Sequence, residues 1–134
     1  MFTDTEITYL KSQPLGRLAT ISSSGQPDAV PVGFEFDGLV FYVGGHNPEN
    51  TRKYKNVRAG NNKIALVVDD LVSVDPWTPR GIRIYGTARL VERQGRFGPG
   101  EYMMITPVIS WSWNLEGRPF DQGKTNRTVH EAGA

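Results

Sequence analysis

The clearest alternation of apolar and polar positions lies between Ile82 and Glu92 (IRIYGTARLVE), and it predicts a long strand with one buried face. Gly86 within it marks a bulge. Similar runs occur at Leu15 to Ser22 (LGRLATIS), Asp28 to Phe36 (DAVPVGFEF), Leu39 to Val43 and Lys63 to Asp69. A last strand is expected from Tyr102 to Leu115 (YMMITPVISWSWNL), broken near Pro107. Ser23-Ser24-Gly25 and Asp37-Gly38 read as hairpin turns, and Arg93 to Gly100 as a polar, glycine-rich turn region.

Two stretches follow a helical pattern instead. Thr3 caps a helix that runs to about Gln13, with Glu6 as its capping-box partner, Ile7 and Leu10 on one face and Pro14 as the stop. Gly44-Gly45 frees the backbone after an apolar strand. Asn47 can then cap a helix that Pro48 opens, with Glu49 in its first turn and an end near Gly60. About six strands, joined mostly by tight hairpins and once through a helix, predict a mainly β fold. A small β-barrel with a few short helices suits that order better than a doubly wound sheet.

Three irregularities stand out. Pro31 in mid-strand calls for an edge position, a bulge or a ligand facing the backbone, and Gly33 leaves room for a close approach. Asp75 to Arg80 (DPWTPR) reads as a loop whose Trp77 is a lid over a ligand, a plug in a subunit contact, or a side chain folded back on its own core. After Leu115 the chain turns polar. Composition predicts a floppy tail over residues 116–134, set apart from a domain over residues 1–115, unless the tail lies against a neighbouring subunit.

Charge changes the picture at one place. From Asn47 to Lys63 there are five cations and one acid, a local balance of 5 − 1 = +4 in a chain whose net charge is +1. Arg52, Lys53, Lys55 and Arg58 therefore sit on a helix that follows a glycine turn, an arrangement suited to a phosphate or another anion. A solvated helix face is the alternative, and the glycine pair favours the ligand. The near-neutral total argues against a dedicated nucleic-acid binder.

The chain has 134 residues and no cysteine, which fits one cytoplasmic domain without disulfides or thiolate chemistry. No signal peptide, membrane span or hydrolase triad is legible. His46 and His130 fall in no zinc-ligand spacing, so no metal is expected.

Taken together, LGRLAT at Leu15–Thr20, VPVGF at Val30–Phe34, the GGH turn followed by TRKYKN, ALVVDDL with VDPW, PRGIRIYGTA and the closing VISW at Val108–Trp111 resemble a known family. It is the pyridoxamine 5'-phosphate oxidase-like split barrel, and the nearest subgroup is its F420-dependent oxidoreductases. The resemblance spans roughly residues 2–115 and implies a split β-barrel, FMN-binding-protein-like, that forms a homodimer with a cofactor groove at the interface. It implies that Pro31, Val32, Gly33 and Phe34 line the cofactor ring, with Gly44, Gly45, His46 and Asn47 at the turn. Thr51, Arg52, Lys53, Lys55 and Asn56 would hold the phosphate, while Trp77 and the Ser110-Trp111 region would approach the ring, as residues of the partner chain. The implied cofactor is coenzyme F420, with FMN as the alternative. F420 carries a polyglutamate tail, for which Arg58 and Lys63 could extend the basic strip. The implied chemistry is hydride transfer to a small unsaturated molecule, with Tyr42, Tyr85 and His46 as candidate proton donors and no assigned catalytic residue. A non-catalytic binder or carrier is the other alternative. Pro107 departs from the subgroup, which often has an arginine before its closing motif, and the tail is longer than the family core needs.

Overall fold

The computed structural model describes residues 1–45, 48–118 and 125–131. Helix α1 (Asp4–Ser12) starts as expected: Thr3 and Glu6 close a reciprocal capping box, with Thr3 Oγ1 accepting from the Glu6 amide and the Glu6 carboxyl from the Thr3 amide. Strands β1 (Leu15–Ile21) and β2 (Pro27–Gly33) form the first hairpin. The expected second strand is interrupted at Phe34, so β3 (Glu35–Phe36) is a separate short element that pairs with β4 (Phe41–Val43).

That interruption shapes the molecule. The sheet runs β2-β1-β5-β6-β7-β4-β3, so β2 and β3 occupy its opposite ends although only Phe34 separates them in the chain. One segment thus joins both ends and curls the sheet into a split barrel. Pro31 lies on an end strand whose pairing with β1 contains no bulge, so the edge explains its tolerance. The seam is pinned by Glu35, whose carboxylate accepts from the Arg93 side chain and the Arg96 amide, and by Arg96 donating to the Phe34 carbonyl.

Two strands are longer than the pattern implied. Strand β5 (Lys63–Ser73) and β6 (Thr78–Gly95) take in Thr78, Pro79 and Arg80, leaving only a tight turn where a loop was expected. Strands β6 and β7 (Gly98–Trp113) together absorb the expected Arg93–Gly100 turn region except Arg96 and Phe97, and β7 continues through Pro107. The pairing skips from Tyr85↔Ile109 to Gly86↔Pro107, so the bulged residue is Val108 on β7, left without a register partner on β6, and not Gly86 as the pattern implied. A Cβ at Gly86 would lie 2.6 Å from the Thr106 carbonyl oxygen, which explains glycine there. On its other edge β7 pairs with β4 up to Ile105 and with β8 (Thr125–Val129) from Ile109. Proline's missing donor thus falls where the strand changes partners. Strand β8 also corrects the expected floppy tail, because the described part of the tail is a strand of this chain's own sheet.

Buried Leu10, Leu18, Phe41, Tyr54, Leu66, Ile82, Ile84, Met103 and Ile105 fill the barrel. Glu6 is buried with them, and its carboxyl accepts from Ser112 at 2.6 Å and Asn126 at 3.4 Å, tying α1 to β7 and β8. Tyr9 donates to Asp70 at 2.7 Å, and Arg80 closes the group at 2.8 Å. Partial burial pushes the Asp70 carboxyl up, but hydrogen bonds from Arg80 and Tyr9 outweigh it and hold it below its ordinary range. The stabilisation is therefore present at neutral pH and lost as pH falls from the ordinary carboxylate range through the depressed one. Asp70→Asn is expected to flatten the acid limb of a melting-temperature series against pH. An unaltered limb would show that this group does not carry it.

Candidate active site

The basic helix is displaced from its expected start. Pro48 opens a single 3-10 turn (Pro48–Asn50), and helix α2 (Arg52–Arg58) begins after Thr51, whose hydroxyl donates back to the Pro48 carbonyl rather than capping α2. His46 and Asn47 lie outside the described residues. Tyr54 anchors α2 from below: it is fully buried, donates to the Val43 carbonyl at 2.6 Å, and its phenol is pushed up to about 12 by burial. Asn56 is also turned inward, donating to Thr20 Oγ1 at 2.9 Å. Its amide nitrogen braces α2 against β1 instead of pointing at a ligand.

The remaining cations divide. Arg58 is paired with Glu101 and is not a spare charge. Arg52, Lys53 and Lys55 form no ion pair among the described residues. Lys53 is partly buried, and that desolvation lowers its pKa against an opposing pull from Asp28 of β2. An unpaired, partly desolvated ammonium is a group that an incoming anion stabilises. Asn56 of α2 donates to Thr20, and Thr20 is opposite Asp28 in the β1–β2 register, so Asp28 stands at the end of β2 that lies towards α2.

Within VPVGF the side chains part. Val32 and Phe34 are buried in the core, whereas Pro31 is exposed and Gly33 is half-buried. Only Pro31 and Gly33 are open to a ligand; a Cβ built on Gly33 would meet nothing closer than 3.8 Å. Gly44 has a different reason from the expected one. A Cβ there would lie 2.5 Å from the Tyr102 ring, so its missing side chain makes room for that ring and not for a ligand. Gly45 has open space around it.

Beside α2, the outer face of the barrel holds an apolar hollow of about 510 Å³, lined by Ala19, Thr20, Ile21, Lys63, Ile64, Ala65, Tyr85, Gly86, Thr87 and Val108. Its size and lining suit a flat organic ring system. The register explains it: Ala29, Ala19, Ala65, Tyr85, Ile109 and Val129 lie opposite one another across six strands. The bulge sends Val108 to the same outer face. Apolar residues on both faces of β1 and β5 were the available signal, since a strand covered on both sides loses its alternation. Tyr85 links the hollow to Trp111, whose ring lies 5.0 Å away edge-to-face, with the Arg83 guanidinium 4.2 Å from the Trp111 centroid.

Trp77 stands apart. It is exposed in the turn between β5 and β6, and about ten residues of β6, roughly 33 Å of strand, separate it from Ala88, where the chain leading out of α2 meets the sheet. One chain does not bring Trp77 to its own α2. Of the candidate proton donors, Tyr85 lines the hollow, while Tyr42 lies on β4 under Arg93, whose guanidinium is 3.8 Å from its ring centroid. Among the described residues no group of histidine and carboxylate side chains is arranged to hold a metal, and no helix is long and apolar enough to cross a membrane.

A split barrel with a cationic helix beside an apolar groove defines a class of protein that holds an anionic, ring-bearing cofactor. The family model for pyridoxamine 5'-phosphate oxidase matches residues 2–129, and the chain belongs to that family of oxidoreductases, whose fold binds flavin-type cofactors. It is 40% identical over 123 residues to a 5a,11a-dehydrotetracycline/5a,11a-dehydrooxytetracycline reductase of Streptomyces rimosus subsp. rimosus, covering 87% of this chain and 85% of the relative. Among solved structures it is similar to an F420 reductase (21% identity, TM-score 0.64, 81% of this chain and 98% of that one). It is also similar to a heme binding protein from Mycobacterium smegmatis (14% identity, TM-score 0.68, 96% and 59%). These two likenesses establish the fold.

Proposed function

We propose that this chain is an F420-dependent reductase that saturates a carbon–carbon double bond in a polycyclic small molecule. The observation that carries the cofactor reading is Lys53, a partly desolvated ammonium with no ion-pair partner among the described residues, standing beside Arg52 in the first turn of α2. Arg52, Lys53 and Lys55 would hold the phosphate, and Pro31 and Gly33 would face the ring. A bound deazaflavin supplies the hydride. The substrate class is supported by the name of the 40%-identical relative and by the apolar hollow, whose lining suits a flat skeleton.

Of the candidate proton donors, Tyr85 is the one that lines the hollow, where its phenolic oxygen can hold a proton and deliver it to the carbon next to the one that receives the hydride. Tyr85→Phe is expected to lower kcat by about a hundredfold while leaving cofactor affinity unchanged. Steady-state kinetics beside a binding titration separates the two, and an unaffected kcat would remove Tyr85 from the chemistry. FMN is the second reading. It is favoured by the pairing of Arg58 with Glu101, which withdraws a cation from the strip that an acidic cofactor tail would use. The resemblance also supports a dimer with the groove between its subunits.

Titrating the purified protein with F420 and, separately, with FMN, and following tryptophan quenching, tests the assignment. Tight F420 binding with weak FMN binding is expected. The reverse order moves the protein to the flavin reading, and binding of neither would return α2 to a solvated helix.

A further inference from the structure

Arg83 is an exposed cation on the outer face of β6, and its charge is unclaimed. Among the described residues it forms no ion pair and donates no side-chain hydrogen bond. What holds it is aromatic: its guanidinium lies 4.2 Å from the Trp111 ring centroid and 5.4 Å from that of Tyr85. Tyr85 in turn meets Trp111 edge-to-face, and Trp111 is half-buried. A guanidinium held through an aromatic ring keeps its N–H donors free for an acceptor. The acceptor that matches their planar fork is a planar pair of anionic oxygens, as in a carboxylate.

Register sets this group at one end of the hollow. Pro31, Arg17, Val67, Arg83, Trp111 and Arg127 lie opposite one another across six strands. That row is two residues, about 7 Å of strand, from the row of Ala65 and Tyr85, so both share the outer face. Arg17 in the row already answers Asp69 at 3.5 Å, whereas Arg127, beyond Trp111, is unpaired among the described residues and adds positive charge. The other end of the hollow belongs to α2. Lys63 faces Thr87 there, and the Ala88 amide donates to the Asn62 carbonyl in the chain leaving α2. Four residues of β6, about 13 Å of strand, separate Thr87 from Arg83. A phosphate held by α2 therefore leaves Arg83 for a different anion. We propose that Arg83, steadied by Trp111, selects substrates whose flat skeleton carries a carboxylate-type anion, with the skeleton against Tyr85 and the acid at the guanidinium. This rests on the reductase reading above and adds the charge of the substrate and the residue that recognises it. Arg83 is a specificity-determining residue and takes no part in hydride or proton transfer. An uncharged skeleton of the same size enters the hollow and leaves the fork unanswered.

Anthracene-2-carboxylate and the uncharged anthracene-2-methanol are matched fluorescent probes of this arrangement. Titrated with the parent protein, the carboxylate is expected to bind about tenfold more tightly than the alcohol. Arg83→Gln should remove that preference, weakening the carboxylate about tenfold and leaving the alcohol unchanged, with an unaltered circular dichroism spectrum. Arg83→Lys, which keeps the charge and loses the fork, should restore the preference only in part. A parent that binds both probes equally, or neither, overturns the proposal. So does an Arg83→Gln variant that loses both probes alike, since the arginine would then only cover Trp111. F420 titration of the same proteins keeps the two readings apart. Arg83→Gln should bind F420 as the parent does, and a weaker affinity would assign Arg83 to the cofactor and overturn the proposal. A parent that fails to bind F420 while keeping the Arg83-dependent preference overturns the cofactor reading alone.

Discussion

Phe41→Ala is expected to destabilise the fold by about 3–5 kcal/mol and to lower the melting temperature by roughly 10–20 °C. Phe41 is fully buried, and its ring centroid lies 4.5 Å from Phe36, 5.7 Å from Phe34 and 6.0 Å from Phe2. Phe34 and Phe36 belong to the segment that joins the two ends of the sheet, so truncation opens a cavity where the barrel closes. Filling that cavity by collapse would require the segment to move, and the seam contacts of Glu35 and Arg96 oppose such movement. Leu39→Ala, at a position 52% exposed on the same hairpin, should stay within about 0.5 kcal/mol of the parent. Chemical denaturation of both variants checks the contrast. Similar losses in the two would mean that the aromatic cluster does not hold the seam.

The second large effect concerns the anion site. Replacing both Arg52 and Lys53 by alanine should weaken F420 binding by about 3 kcal/mol or more, over a hundredfold, because each removes a charge-assisted contact. Arg58→Ala is the matched control, since Arg58 already answers Glu101. It should change affinity by less than about tenfold. Raising the ionic strength should weaken binding to the parent more than to the double variant. Equal affinities for parent and double variant would remove the phosphate from α2. Tyr54 and Asn56, which brace the helix from below, are untouched by these changes, so loss of binding would not reflect loss of the helix.

Much of the barrel can be read from short-range pattern. The capping box at Thr3 and Glu6, the Ser23-Ser24-Gly25 turn and the alternation around Ile84 are local, and each forms where neighbouring residues predict it. The errors cluster where an element depends on a distant partner. Thr125 to Val129 is polar and looks like tail, yet it becomes a strand because β7 offers an open edge there. Residues 93–100 look like turn because they lie on an exposed ribbon end, where polar side chains and glycine are as compatible with pairing as with a loop. Pro107 reads as a break for the same reason, since only the change of partner along β7 shows that its missing donor costs nothing.

The candidate site divides in the same way. Its charge is written in one stretch, Arg52 to Arg58, because a helix collects side chains that are near in sequence. Which of those charges remain available is decided by residues far away: Glu101 takes Arg58, Thr20 receives Asn56, and Asp28 lies close enough to act on Lys53. The apolar hollow has no sequence signature of its own, because Ala19, Ala65, Tyr85 and Val108 come from four strands whose register brings them side by side. Backbone preference, capping and turn chemistry act over a few residues, and so they can be read along the chain. Pairing register, barrel closure and the fate of each charge depend on residues tens of positions apart, and only the folded chain settles them.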